Sequence, residues 1–110
     1  MQAVNLKAKL DSFDEHWTPK IVSMFNGHDV MVVKAEGEFT WHSHPDSDDF
    51  FLVLEGELVI EMREGDVHLG PGKGVEHRPI AKCEVHALLI EPAGTPNTGD
   101  ATTAAIKERI

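Results

Sequence analysis

Apolar residues along this 110-residue chain fall into short alternating or continuous runs, broken roughly every ten residues by glycine, proline or asparagine. That rhythm predicts short β-strands joined by turns, in a sandwich or barrel. Trp17 to Phe25 reads as the first strand, with Pro19 near its start, as an edge strand tolerates. Asn26-Gly27 is a strong hairpin signal, and Asp29 to Ala35 is the returning strand. Glu36-Gly37-Glu38 then turns into a strand over Phe39 to His44, with Phe39 and Trp41 facing away from Thr40, His42 and His44. Phe50 to Leu54 is an unbroken apolar run that suits a buried strand. Glu57 to Met62 alternates, so the two predict a hairpin about Glu55-Gly56-Glu57. Arg63 to Asp66 reads as a turn and Val67 to Leu69 as a short strand. Gly70 to Gly74 holds three glycines and a proline in five residues, which excludes regular structure. Val75 to Ile80 leads to the last strand, Glu84 to Glu91, where Val85, Ala87 and Leu89 alternate with His86, Leu88 and Ile90.

The ends differ from this pattern. Val4, Leu6, Leu10 and Phe13 approximate one face of a short helix within residues 1–13, with Asn5 as its cap. Residues 93–110 are rich in Pro, Gly, Thr and Ala and predict an extended tail, with a weak helix at Thr103 to Arg109. The expected organisation is one domain over 1–110, with a β-barrel over 14–92 between these two segments.

Composition narrows the function. The net charge is −9 and there are three arginines, Arg63, Arg78 and Arg109. That is no footprint for nucleic acid, and no polybasic patch faces a membrane. The first thirteen residues carry charges where a signal peptide needs an apolar core, and no apolar run approaches a membrane span. Cys83, the single cysteine, excludes an internal disulfide. A cytoplasmic protein is expected.

The chemistry concentrates in Gly37 to Gly56. His42 and His44 stand two apart, so on a strand both imidazoles look into one space. Asp49 follows five residues after His44, just before the apolar run, with Asp46 and Asp48 competing for its role. Two imidazoles and a carboxylate suit iron, manganese, zinc or nickel. His16, His28 and His68 read as surface residues, and Cys83 as a buried small hydrophobe or an inert thiol. His86 is a candidate for a role near the cavity, and Arg78 for a surface salt bridge.

The order Gly37, His42-Ser43-His44, an acid at Asp49 and Gly56 resembles the first motif of the cupins, with Asp in place of the usual Glu. Gly70 to His77 resembles part of the second motif, and the resemblance implies His77 as a further ligand. There, either about six residues of strand are missing after Gly72, or Gly65 to Pro71 is the motif strand and Gly72 a one-residue insertion. The first reading leaves an open sheet edge for a partner chain. The resemblance implies an all-β cupin fold, a double-stranded β-helix or jelly-roll barrel, here with a short N-terminal helix. It also implies one divalent ion (Fe, Mn, Ni or Zn) and a small organic acid or sugar-like ligand. The chemistry implied is that of a dioxygenase, isomerase or hydrolase. A non-catalytic binding module and a metal-free interaction protein are the alternatives. Trp17, the N-terminal strands and the open edge offer surface for a homodimer.

Overall fold

In the computed structural model, residues 3–44, 48, 50–63, 65–67, 76–100, 102 and 104–110 are described, with the backbone alone at 62, 65–67 and 77. Asn5 caps helix α1 (Leu6–Leu10), its side-chain oxygen accepting from the Ala8 N–H at 3.0 Å. Among the described residues six strands follow: β1 (Lys20–Phe25), β2 (His28–Glu38), β3 (Phe50–Glu55), β4 (Val59–Met62), β5 (Gly65–Val67) and β6 (His77–Pro92). They form an antiparallel sheet in the order β1-β2-β6-β4-β5, with β3 also paired to β6. The fold is all-β with a short helix, as the sequence implies. No helix among the described residues is long and apolar enough to cross a membrane.

The β1–β2 hairpin turns at Asn26 and Gly27, with φ of 48° and 75°. Two positive angles are what a type I′ turn demands. Gly37 does not turn the chain as expected. Its φ of 83° falls where the β2–β6 register shifts, so it is a bulge inside one long strand. Residues 39–44 are not a regular strand. The predicted break between Ile80 and Glu84 is also absent, because β6 runs unbroken for 16 residues. Cys83 on it is exposed rather than buried.

The expected hairpin at 55–57 is not there either. β3 pairs with β6 from Phe50↔Ile90 to Glu55↔His86, and β4 continues along the same side from Val59↔Ile80 to Met62↔His77. Gly56 joins them at φ 89°, where a Cβ would stand 2.9 Å from the Glu84 carbonyl oxygen. Only glycine permits this close approach with that backbone.

Alternation along β2 divides the core. Met31, Val33 and Ala35 face inward, towards Val85, Ala87 and Leu89 of β6. Val32 faces the other way and packs on Leu10 and Phe13. Fully burying a side chain such as Met31 contributes about 1.5–3 kcal/mol. Lys34 is also buried, its ammonium donating to the Phe13 carbonyl at 2.6 Å.

β3 departs most from expectation. Phe50, Leu52 and Leu54 are 49%, 50% and 40% exposed. An unbroken apolar run predicts cover on both faces, and β3 is covered only at Phe51, which packs on the Met31 cluster, while Val53 on the same face is exposed. Among the described residues β3 pairs with β6 alone.

Beyond β6 the chain returns to β1. The Ile21 N–H donates to the Glu108 carbonyl at 2.7 Å, and Ile110 N–H to the Ile21 carbonyl at 3.0 Å. These bonds hold residues 108–110 alongside β1, and there is no helix over 104–110.

Candidate metal centre

Trp17 is the hinge of the site. Its φ is 58°, an uncommon angle for a bulky residue. Three bonds hold it there. Its backbone N–H donates to the Lys34 carbonyl at 2.8 Å, and its indole N–H to the Glu36 carbonyl at 2.9 Å. Its own carbonyl accepts from the Asn97 side chain at 3.2 Å. The indole stacks on Phe39 with centroids 4.9 Å apart. Phe39 meets His42 edge-on at 5.3 Å, and His42 meets His44 edge-on at 5.0 Å. Trp17 is half-buried and lines a cavity with these rings.

This row of rings forms one wall of a small, partly open cavity. Val33, Ala35, Ala87 and Leu89 line it from the sheet, and Phe51 and Leu58 from the side. The polar lining is His42, His44, Glu91 and Asn97. Asn97 donates to Trp17 and accepts from the Ala105 N–H at 2.9 Å. The buried Glu91 carboxylate meets Lys107 at 3.5 Å.

Both histidines line the cavity, although residues 39–44 are not the strand expected there. His44 is 4% exposed. His42 Nδ1 lies 2.8 Å from the Thr40 carbonyl oxygen. A carbonyl only accepts, so Nδ1 carries the hydrogen and the lone pair of the neutral ring lies on Nε2. In a ring held through its Nδ1 hydrogen, Nε2 is the nitrogen that a divalent ion would take.

Asp49 lies outside the described residues. His77 opens β6 opposite Met62, two residues before Pro79, which lines the cavity. The His77 side chain is outside the description. Among the described residues no three His, Cys, Asp or Glu side chains gather as a metal-binding group.

Several neighbours differ from the sequence reading. Phe39 lines the cavity beside the histidines instead of facing away, and Thr40 is exposed. The strand alternation that separated them ends at Glu38. Trp41 lies under Arg63, whose guanidinium is 3.7 Å from the ring centroid, with Arg78 at 5.5 Å. Arg78 makes the expected salt bridges, to Glu61 and to Glu38 at 3.2 Å. His86 points away from the cavity, to Glu84 at 3.1 Å and Glu55 at 3.3 Å. His16 and His28 are exposed as expected, and His68 lies outside the described residues.

Residues 29–90 match the family model described as Cupin_2, the cupin domain. The uncharacterized protein YdbB of Bacillus subtilis (strain 168) is 42% identical over 95 residues, spanning 79% of this chain and 83% of that protein. A crystal structure of a cupin-2 domain-containing protein from Shewanella frigidimarina NCIMB 400 is 40% identical, with a TM-score of 0.76 over 81% of this chain and 93% of that one. At 16% identity the likeness is one of fold alone: hydroquinone 1,2-dioxygenase PnpCD, solved with Cd2+ and 4-hydroxybenzonitrile, has a TM-score of 0.63 over 91% of this chain and 74% of its own.

Proposed function

The chain belongs to the cupin family, and on that premise we propose that it is a cytoplasmic metal-binding cupin that holds a small organic molecule against one divalent ion. His42 and His44 supply two ligands, and Asp49 and His77 the others. The observation that carries this reading is the pair of imidazoles 5.0 Å apart in an apolar cavity, with Nδ1 of His42 tied to Thr40. Bound there, iron, manganese, nickel or zinc would act as a Lewis acid and orient a chelating group. Metal content after incubation with each ion tests it. The wild-type chain should retain about one ion, and His42→Ala far less. Equal, negligible content in both would overturn it.

The ligand is best read as a small acid with an apolar body. Asn97 and Glu91 already have partners within the protein. Hydroxyls on a sugar-like body would face aliphatic and aromatic walls and lose their hydrogen bonds to water, at about 1–3 kcal/mol each. Benzoate should therefore raise the melting temperature of the metal-loaded protein more than glucose does. The reverse order would count against it.

A binding role without turnover is the second reading, favoured because the polar groups of the cavity beyond the histidines are engaged in structure. A ligand recovered chemically unchanged after incubation supports it, and turnover excludes it.

The assembly proposed is a homodimer through β3. Its exposed row of Phe50, Leu52 and Leu54 carries no charge. A two-fold axis lets such an antiparallel strand meet its own copy. Light scattering should give twice the 12.2 kDa chain mass and, for Leu52→Lys, a monomer. A wild-type monomer would remove this assembly.

A further inference from the structure

We propose that the turn Pro96–Gly99 is a brace that sets the position of the His42-Ser43-His44 segment, with Gly99 and Asn97 as positioning residues. The turn lies beyond the family-matched residues 29–90.

Gly99 N–H donates to the Pro96 carbonyl at 3.0 Å, which closes the turn. Gly99 has φ 76° and lies with its backbone against Ser43. A Cβ placed there would overlap the Ser43 carbonyl oxygen and stand 3.0 Å from its carbon. Both neighbours of Ser43 are the cavity histidines, so a displacement at Ser43 carries both rings with it.

The grip has a second arm. Asn97 donates to the Trp17 carbonyl at 3.2 Å, and Trp17 stacks on Phe39, which meets the His42 ring. The turn thus reaches the segment directly at Ser43 and through two aromatic rings at His42. Its own position is fixed from both sides. Thr95 bonds the Pro92 carbonyl through its N–H at 3.1 Å and its hydroxyl at 2.7 Å. Downstream, Ala105 N–H bonds Asn97, and Ile110 N–H bonds Ile21. A well-packed tail with no bearing on the site would need neither the glycine contact at Ser43 nor the amide contact at Trp17.

Gly94 provides the control. Its φ is 85°, in the same segment, but a Cβ there meets nothing within 4 Å. Gly94→Ala and Gly99→Ala share the backbone strain, and Gly99→Ala alone pushes on Ser43. Amide hydrogen exchange of the peptide over 39–44 should rise about tenfold in Gly99→Ala and stay at the wild-type rate in Gly94→Ala. Asn97→Asp keeps the acceptor for Ala105, loses the donor to Trp17, and should raise the same peptide's exchange by a smaller factor. Should Gly99→Ala not fold, that variant carries the test. Unchanged exchange over 39–44 in the folded variants would overturn the brace.

The metal centre enters separately, since its part rests on the function proposed above. With zinc as the probe, affinity should fall about tenfold in Gly99→Ala and hold in Gly94→Ala. A wild-type chain that takes up no zinc while the exchange difference persists leaves the brace standing and removes the metal. Zinc bound alike by all variants, with exchange also alike, does the opposite.

Discussion

His42 donates its Nδ1 hydrogen to the carbonyl of Thr40, two residues earlier, at 2.8 Å. The acceptor is backbone, so the ring is oriented by the chain itself. Asparagine at this position can place an N–H near the same carbonyl, but has nothing where Nε2 stands. His42→Asn should therefore fold, melt close to the wild type, and bind zinc at least about tenfold more weakly. Isothermal titration with a melting curve checks both. Undiminished affinity would show that Nε2 holds no ion.

Gly56 makes the step from β3 to β4 possible. Its Cβ would meet the Glu84 carbonyl oxygen at 2.9 Å and the Val85 side chain at 3.1 Å, at φ 89°. Gly56→Ala combines backbone strain with overpacking and should cost about 2–4 kcal/mol. Gly27→Ala, where φ is 75° but the space is open, should cost about 1 kcal/mol. Urea unfolding of the two variants measures the difference, and equal costs would contradict the close approach.

Lys20 is 2% exposed and meets Glu15 at 2.6 Å and Glu108 at 3.5 Å. The Glu15 hydrogen bond raises the Lys20 ammonium above its usual value, and the same bond lowers the Glu15 carboxyl. For Glu15 the folded value lies below the unfolded one. Its contribution is complete above the ordinary glutamate value of 4.5 and is lost as pH falls through the folded value. For Lys20 the contribution is complete below 10.5 and is lost as pH rises through the raised value. Glu15→Gln should lower stability at pH 7 and flatten the acid limb of the stability profile. An acid limb identical to the wild type would refute this linkage.

The strand rhythm, the Asn26-Gly27 hairpin and the capped helix were legible because each depends on neighbouring residues alone. His42 and His44 do line one cavity, but not by the strand alternation expected of them, since residues 39–44 form no regular strand. The place of Phe39 was not legible, because alternation holds only inside a regular ladder and β2 ends at Glu38. Gly37 and Gly56 looked like turns, yet both are offsets in strands that keep their direction, and a glycine reads alike in either role. The Phe50 to Leu54 run could not reveal that Phe50, Leu52 and Leu54 stand exposed on the sheet. Pro96 to Gly99 carried turn residues, but nothing local reveals that the turn meets Ser43.

Anomalous scattering from crystals grown with zinc, recorded at its absorption edge, bears most directly on the metal centre. We predict one strong peak about 2.0–2.1 Å from Nε2 of His42 and in contact with the His44 ring. A map without a peak between these two rings, or with its strongest peak elsewhere on the chain, would contradict the proposed site.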